Sequence, residues 1–397
     1  MRASPGGGDG TGRGREGGGM DESTEMKTRA NKFGRAGSAI RDAAYRSRRD
    51  IVSVEIREGT TAIGARAFAG CANLREIRIP GSVRAIGGGA FANCASLESI
   101  VIPDGVEGEL GMGTVRSQDV GMFEGCLSMK SAVVPASVAK IGNRAFRGCF
   151  ALESVSIADG VAAIGERAFE KCIQLESVAI PGSVREIAPN AFDGCERLAA
   201  IEYAGPACRF EGGAMLSPDG RRLLRWVGKL PPVAEVPASV TVIGVGAFSH
   251  LSGLKAVRLP EGVARIGINA FRGCRALEAV SFPGSLRAID GWAFCGCESL
   301  TAVAVHGGVE AIGDFAFCWC PALREAVLSE GLKRIGGCAF ASTGLRMAIL
   351  PSTVASVGEG AFDDCDALEL AVLPRGVRAN RMSPFWKCGK LKEILRY

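Results

Sequence analysis

Apolar side chains recur along this chain at a fixed spacing. Phenylalanine occupies thirteen equivalent positions, and nine of the twelve intervals between them are 23 residues long. One interval is 22 residues, and the other two, 32 and 56 residues, mark insertions. Aligned on this residue, the repeats share the template L-x-x-I-x-I-P-x-x-V-x-x-I-G-x-x-A-F-x-x-C-x-x. The phenylalanines are Phe68, Phe91, Phe123, Phe146, Phe169, Phe192, Phe248, Phe271, Phe294, Phe317, Phe340, Phe362 and Phe385.

The template predicts the local structure of one unit. Ile77 and Ile79 alternate with Glu76 and Arg78, which predicts a short strand with one buried face. A second extended segment follows at residues 83–86. The remaining apolar residues lie at i, i+1, i+4 and i+7, a spacing that predicts a short helical turn: Ala67, Phe68, Cys71 and Leu74.

One such unit is too small to fold alone, because ordering its backbone costs more free energy than its few apolar side chains return. The units must therefore stack, so that each strand pairs with its copy in the next turn. We predict an α/β solenoid of about fourteen 23-residue turns over residues 51–397. Insertions are expected at about residues 107–121 and 205–236, the second a hairpin that turns at Pro218-Asp219-Gly220.

The N-terminal region has a different composition. Residues 1–50 are predicted to be a disordered Gly/Arg-rich leader, within which residues 23–50 either form a short helix or stay unfolded. The chain has 47 Lys+Arg and 42 Asp+Glu. Residues 1–50 hold 11 basic and 7 acidic residues, which leaves 36 against 35 for the solenoid. A nearly neutral body argues against specific nucleic-acid binding, which needs a concentrated basic face.

No apolar run is long enough for a membrane span, and none resembles a secretory signal. The default expectation is a cytoplasmic protein. If the natural start lies upstream of this sequence, the expectation changes to a surface or secreted protein.

The fifteen cysteines raise the question of disulfides or a metal. Eleven of them stand three residues after the repeat phenylalanine. Successive copies would be about 4.8 Å apart with parallel Cβ directions, beyond the roughly 3.5–4.5 Å Cβ separation of a disulfide. We therefore expect a ladder of free buried thiols, made of Cys71, Cys94, Cys126, Cys149, Cys172, Cys195, Cys274, Cys297, Cys320, Cys365 and Cys388.

A zinc site at Cys295, Cys297, Cys318 and Cys320 is the alternative. Cys295 and Cys318 fall in a slot that most other turns fill with a charged residue or with alanine, so they are expected to be exposed and to face away from Cys297 and Cys320. His250 and His306 are expected at the surface, and no catalytic motif is present. We predict no enzyme activity, metal or cofactor.

The outward strand positions are small or weakly charged along most of the array, but apolar near its end. An exposed apolar patch indicates a partner-binding face. The candidate binding residues are Met347, Ile349, Leu370 and Val372; the C-terminal segment KLKEILRY is the alternative occupant of this face.

The runs IPGSVREIAPNAFDGCERL, IPGSVRAIGGGAFANCASL and LPEGVARIGINAFRGCRAL resemble the BspA-like, or treponemal-type, leucine-rich repeat. Such proteins are known mainly as surface or secreted interaction and adhesion proteins. The resemblance implies a non-enzymatic protein-interaction solenoid, adhesin-like or a scaffold, with protein partners. The alternative functions are an intracellular regulatory scaffold, or a repeat frame that carries a metal or enzymatic site. We expect a monomer.

The stacked architecture predicts an elongated particle. About fourteen turns at roughly 4.7–4.9 Å per strand give a stack about 65 Å long. Small-angle X-ray scattering should therefore give a longest dimension well beyond that of a sphere of 41.3 kDa. A compact globular profile would refute the solenoid.

Overall fold

Two short strands occur in each regular turn, and each pairs in parallel with its copy in the neighbouring turns. The computed structural model describes residues 31–110, 120–379 and 384–397. Within the regular repeats the register is one repeat length: Val54 pairs with Ile77 in the first series of strands, and Ile63 with Ile86 in the second. The two series line opposite sides of a core filled by Ile, Leu, Val, Phe and Cys.

The strands are numbered in chain order. The first series consists of β1 Asn31–Phe33, β3 Ser53–Ile56, β5 Glu76–Arg78, β7 Ser99–Val101, β9 Ser131–Val134, β11 Ser154–Ile157, β13 Ser177–Ile180, β15 Ala200–Tyr203, β19 Val233–Glu235, β21 Ala256–Arg258, β23 Ala279–Ser281, β25 Ala302–Val305, β27 Glu325–Leu328, β29 Met347–Ile349, β31 Leu370–Leu373 and β33 Glu393–Arg396. The second consists of β2 Ala39–Ile40, β4 Ala62–Ile63, β6 Ala85–Ile86, β8 Gly108–Leu110, β10 Val138–Ile141, β12 Ala163–Ile164, β14 Glu186–Ile187, β20 Val242–Ile243, β22 Arg265–Ile266, β24 Ala288–Ile289, β26 Ala311–Ile312, β28 Arg334–Ile335, β30 Ser356–Val357 and β32 Arg378–Ala379. The insertion consists of three antiparallel strands, β16 Arg209–Glu211, β17 Ala214–Leu216 and β18 Arg222–Trp226, and the last two form the predicted hairpin.

The predicted helical turn is wrong, and with it the α/β class. The described residues form a β-solenoid of about 15 turns and contain no helix. Around Phe68 the backbone N–H groups alternate between two acceptors. Cys71 N–H donates to Phe68 O three residues back, at 3.1 Å, whereas Phe68 N–H donates to Ala90 O in the next turn, at 2.8 Å. In an α-helix each N–H beyond the first turn donates to a carbonyl four residues back in the same segment. Consecutive tight turns place apolar residues three apart on one side, and this spacing is close to that of one face of a helix.

The stack extends upstream of residue 51. Strands β1 and β2 pair with β3 and β4 at the 23-residue offset, as Asn31 with Val54 and Ile40 with Ile63. The ring of Tyr45 stacks on Phe68 at 5.1 Å between centroids. The rest of the predicted leader, residues 1–30, and residues 111–119 of the predicted insertion lie outside the described residues.

The hairpin joins the second series of strands. Strands β17 and β18 are antiparallel, and β18 pairs in parallel with β20. Trp226 at the end of β18 stacks on Phe248 at 5.6 Å, and thus takes the place of the repeat phenylalanine. Arg225 donates two hydrogen bonds to the Asp193 carboxylate, at 2.8 and 2.7 Å, and this ion pair fastens the hairpin to the preceding turn.

A column of phenylalanine rings runs through the core. Neighbouring rings are nearly parallel, with centroids 5.3 Å apart for Phe146–Phe169 and Phe169–Phe192, and 4.8 Å apart for Phe248–Phe271. Offset stacking of this kind adds about 0.5–1.5 kcal/mol per pair to the free energy of burial. Each ring therefore depends on both of its neighbours for position.

The repeat glycine after the second strand is favoured by the close approach of the preceding turn. A Cβ on Gly87 would lie 2.4 Å from the Ala65 nitrogen, and one on Gly165 would lie 2.8 Å from the Asn143 nitrogen. Neither contact is possible without a backbone shift. Ala188 and Asp290 occupy the same position in two turns, so the backbone can make that shift locally.

The buried cysteine ladder has a hydrogen-bonding role that a leucine could not fill. Each thiol donates to a carbonyl of the preceding turn, as Cys94 Sγ to Phe68 O at 3.2 Å and Cys195 Sγ to Phe169 O at 3.1 Å. Thr343 occupies the same position, but its hydroxyl donates within its own turn, to Phe340 O at 2.9 Å. Burial raises the pKa of the Cys149, Cys195 and Cys274 thiols to about 12. All fifteen cysteines are free thiols in the structure.

Phe169→Ala should destabilise the protein by about 3–5 kcal/mol, because it leaves a cavity between two stacked rings. The matched control is Phe150→Ala, since the Phe150 side chain is 42% exposed. The control should cost less than about 1 kcal/mol. Chemical denaturation monitored by circular dichroism compares the two. An equal loss of unfolding free energy in the two variants would contradict the conclusion that stability depends on the phenylalanine column.

The reactivity of the thiols should differ between the native and the denatured protein. A disulfide-exchange reagent at pH 8 should react with only a few cysteines of the native protein, because a neutral buried thiol is neither nucleophilic nor accessible. Under denaturing, non-reducing conditions the same reagent should find nearly all fifteen. Five or more disulfides in the denatured protein would contradict the ladder.

Candidate functional site

The candidate site lies on the outward face of the first series of strands, near the C-terminus. Parallel pairing of β29 with β31 places Met347 beside Leu370 and Ile349 beside Val372. The structure thus brings the four residues predicted from sequence together as two adjacent pairs. Strand β33 continues the sheet and places Leu395 beside Val372.

The four predicted residues differ in exposure. Met347 and Ile349 are 53% and 51% exposed, whereas Leu370 and Val372 are half-buried between neighbouring strands. Two further apolar side chains lie at equivalent outward positions: Val327 on β27, 49% exposed, and Leu395 on β33, 43% exposed. We call Val327, Ile349, Val372 and Leu395 the apolar row.

A groove of about 540 Å³ opens between β27 and β29, lined by Arg324, Glu325, Ala326, Val327, Leu328, Arg346, Met347 and Ile349. These two strands belong to different hydrogen-bonded sheets. The turn between them is one residue shorter than the template, and a Cβ on Gly344 would lie 2.4 Å from Pro321 O. The groove therefore lies at an irregularity of the repeat, where the strands are not held together by ladder hydrogen bonds.

Charged residues line one end of these strands. Lys392 Nζ lies 3.1 Å from Glu369 Oε2, and this ammonium group holds the pKa of the Glu369 carboxyl below its usual value. At the groove itself, no carboxylate of the described residues lies within ion-pair distance of the Arg324 or Arg346 side chain. The groove thus combines apolar side chains with two guanidinium groups and the Glu325 carboxylate.

The C-terminal segment extends the face and does not cover it. Strand β33 pairs edge to edge with β31, from Leu370–Glu393 to Leu373–Arg396. The Tyr397 hydroxyl donates to Leu350 O at 2.8 Å, which anchors the end of the segment. Met347 and Ile349 lie on β29, on the other side of β31, and stay exposed.

The cysteine pair Cys295 and Cys318 is buried, contrary to the predicted exposure. Their side chains are only 2% and 4% exposed, and they pack with Ala341 under Trp292 and Phe315. Cys297 and Cys320 lie in the main core, so the four thiols do belong to two separate layers. No group of three or more His, Cys, Asp or Glu side chains in the described part of the chain is arranged to hold a metal ion.

His250 and His306 are exposed. None of the described residues belongs to a helix long and apolar enough to cross a membrane.

A parallel β-solenoid with a buried phenylalanine column and a free strand face defines a repeat protein of the leucine-rich class. The chain belongs to the family described as the BspA type leucine rich repeat region, which matches residues 38–108, 119–210, 233–345 and 310–395. This confirms the resemblance found in the repeat sequences. No curated protein is significantly similar to this chain.

Several bacterial crystal structures are similar over most of the chain. A leucine rich cell surface protein from Faecalibacterium prausnitzii is 26% identical, with a TM-score of 0.59, over 87% of this chain and 84% of that one. A leucine-rich repeat protein from Bacteroides ovatus is 28% identical, with a TM-score of 0.57, over 90% and 82%. The pneumococcal vaccine antigen PcpA, at 19% identity and a TM-score of 0.51 over 84% and 70%, shares the fold.

Sequence reasoning missed two members of the apolar row. Val327 is an outward position of the same face, but it shares its strand with Glu325, whereas both outward residues of β29 and of β31 are apolar. Leu395 lies in the C-terminal segment KLKEILRY, which the sequence left as an alternative occupant of the face, although Leu391 and Ile394 continue the template spacing L-x-x-I and indicate one more strand. The groove depends on the 22-residue interval between Phe340 and Phe362, and this interval is the feature of the sequence that indicates it.

Proposed function

We propose that this protein is a non-enzymatic interaction scaffold that binds a partner protein through the apolar row and the adjoining groove. The observation that carries the proposal is the exposure of Val327, Met347 and Ile349 beside a groove of about 540 Å³. Large apolar side chains grouped at one place on a soluble surface are typical of a binding site.

The position of the groove supports this proposal. Elsewhere the outward strand residues are mostly small, as at Ser154, Ser156 and Ala179, and offer little area to a partner. Binding energy at protein interfaces concentrates in a few large side chains around which water is excluded. Met347 and Ile349 meet this requirement, with Arg324 and Arg346 available for polar contacts at the edge.

The finer form of the proposal is an adhesin-like role. It is favoured by the relative from Faecalibacterium prausnitzii, which is described as a cell surface protein. The competing form, an intracellular scaffold, is favoured by the fifteen free thiols, since cysteines persist as thiols mainly in reducing compartments. The same surface would serve either role.

Ile349→Glu combined with Val372→Lys should abolish partner capture, because it places charge in the middle of the apolar row. The melting temperature should fall by only a few degrees, since Ile349 is half exposed and Val372, although half-buried, points away from the core. The immobilised wild type and the double variant are each exposed to lysate and surface extract of the source organism. Captured proteins are identified by mass spectrometry and then titrated in purified form.

Two controls make the result interpretable. Ser177→Glu with Ala179→Lys makes the same charge change at exposed outward positions of β13, and should leave capture intact. Val178→Glu lies between them but points into the core, so it should unfold its region by burying an unpaired charge. If both double variants capture the same proteins as the wild type, the apolar row is not the binding surface.

A further inference from the structure

The position two residues after the repeat phenylalanine lies in the tight-turn segment of each repeat. All thirteen copies of this position have positive φ, the left-handed region that favours glycine. Six of them are glycine, and six are polar or charged: Asn93, Lys171, His250, Ser342, Asp364 and Lys387. The remaining copy is Trp319, with φ +56°. A bulky aromatic side chain is rare in this conformation, so Trp319 is placed against the local backbone preference.

Trp319 also gains little from burial. Its side chain is 58% exposed, although tryptophan is on average a well-buried residue. A residue that strains the backbone and does not fill the core contributes little to stability. Such residues cluster at functional sites, which makes the surroundings of Trp319 a candidate site.

A shallow surface depression of about 460 Å³ adjoins Trp319. The two preceding turns have glycine at the same position, Gly273 and Gly296, and the third has His250. At roughly 4.8 Å per turn, His250 and Trp319 are about 14 Å apart along the stack. A Cβ on Gly296 would have no atom nearer than 3.8 Å, so the space above this glycine is open. The depression thus has a floor of glycine backbone between an imidazole and an indole.

The lining of the depression includes an oriented guanidinium group, that of Arg272. It lies 5.2 Å from the centroid of the Trp292 ring, a cation–π contact, and Trp292 stacks on Phe315 at 4.1 Å between centroids. No carboxylate of the described residues lies within ion-pair distance of Arg272. A guanidinium that is held in place with free N–H groups is suited to bind a carboxylate through two parallel hydrogen bonds.

The other polar groups of the lining both donate and accept hydrogen bonds. Glu298 Oε1 lies 3.3 Å from Arg275 Nε, and the Glu298 carboxylate has further lone pairs that can accept. Ser342 and His250 can each donate and accept. Such a lining suits hydroxyl groups, which also do both. A ligand with several phosphates or carboxylates would be repelled by Glu298.

We propose that this depression binds an acidic oligosaccharide. The apolar face of one sugar ring packs on the Trp319 indole, as apolar surfaces pack on aromatic rings in general, and the carboxylate of a linked sugar bonds to Arg272. Arg272 and Trp319 belong to turns two apart, about 10 Å at roughly 4.8 Å per turn, which two linked sugar rings can span. Glu298 and Ser342 bind hydroxyl groups between these points. The site shares no residue with the groove beside the apolar row, so this activity is additional to the protein binding proposed above.

Isothermal titration calorimetry on the full chain tests the ligand class. The acidic probes are trigalacturonic acid and 3′-sialyllactose, which distinguish a uronic acid from a sialic acid as the source of the carboxylate. The neutral probes are maltotriose and lactose. At least one acidic probe should bind, roughly tenfold or more tightly than the neutral probe of similar size. Binding of neither acidic probe, or equal binding of acidic and neutral probes, would overturn the proposal.

Trp319→Gly tests the position of the sugar ring, and glycine occupies this position in six other turns, so the fold accepts it. The variant should bind the acidic probe at least tenfold more weakly, because the ring loses its aromatic contact. The matched control is Trp386→Ala, since Trp386 is 56% exposed but lies outside the depression. This control should bind as the wild type does. Unchanged binding in Trp319→Gly would contradict the site.

Two further variants separate the space from the charge. Gly296→Asn fills the floor with a residue that occupies the same position at Asn93, and should weaken binding at least tenfold with little change in melting temperature. Arg272→Ala should lower the affinity for the acidic probe to that for its neutral counterpart, whereas Arg272→Lys should restore part of the difference. A preference for the acidic probe that survives in Arg272→Ala would refute the role of the guanidinium.

Discussion

The constraint on which this structure depends is register between neighbouring turns. In the tight-turn segments alternate N–H groups donate to the next turn, as Phe68 to Ala90 O, and the strands pair only with other turns, so an isolated turn loses all of these hydrogen bonds. The phenylalanine rings, 4.8–5.7 Å apart along the column, obey the same spacing. The backbone hydrogen bonds and the ring stacking both connect equivalent positions of neighbouring turns. Each inward position therefore favours the same residue type in every turn, and this preference produces the 23-residue template.

The same constraint leaves the outward positions free. A residue that points outward needs only to tolerate its copies about 5 Å away, which an alternating series such as Glu124–Arg147–Glu170 satisfies by attraction. Substitution there changes the surface without changing the register. Larger surface features need a departure from the period itself: the shortened turn at Gly344 accompanies the groove, and the hairpin brings Trp226 into the ring column.

The period, the strands and most of the core could be predicted from the sequence, because each rests on a pattern that repeats many times. The helical turn could not be distinguished from consecutive tight turns, since both place Phe68 and Cys71 on the same side. The difference lies in hydrogen bonds between turns, which sequence spacing does not encode. The burial of Cys295 and Cys318 was missed for a related reason: it depends on Trp292 and Phe315, whose slot usually holds a small or polar residue.

The candidate site, too, could be predicted from the sequence only in part. Met347, Ile349, Leu370 and Val372 could be found because outward positions follow from strand alternation, but which of them reaches solvent depends on neighbours. Leu370 and Val372 are half-buried because β33 lies beside them, whereas Met347 and Ile349 face the strand that the shortened turn separates from the sheet. Exposure on a solenoid face is thus decided by the pairing of the adjacent turns as much as by the residue itself, so irregular turns are where a repeat protein can place a specific surface.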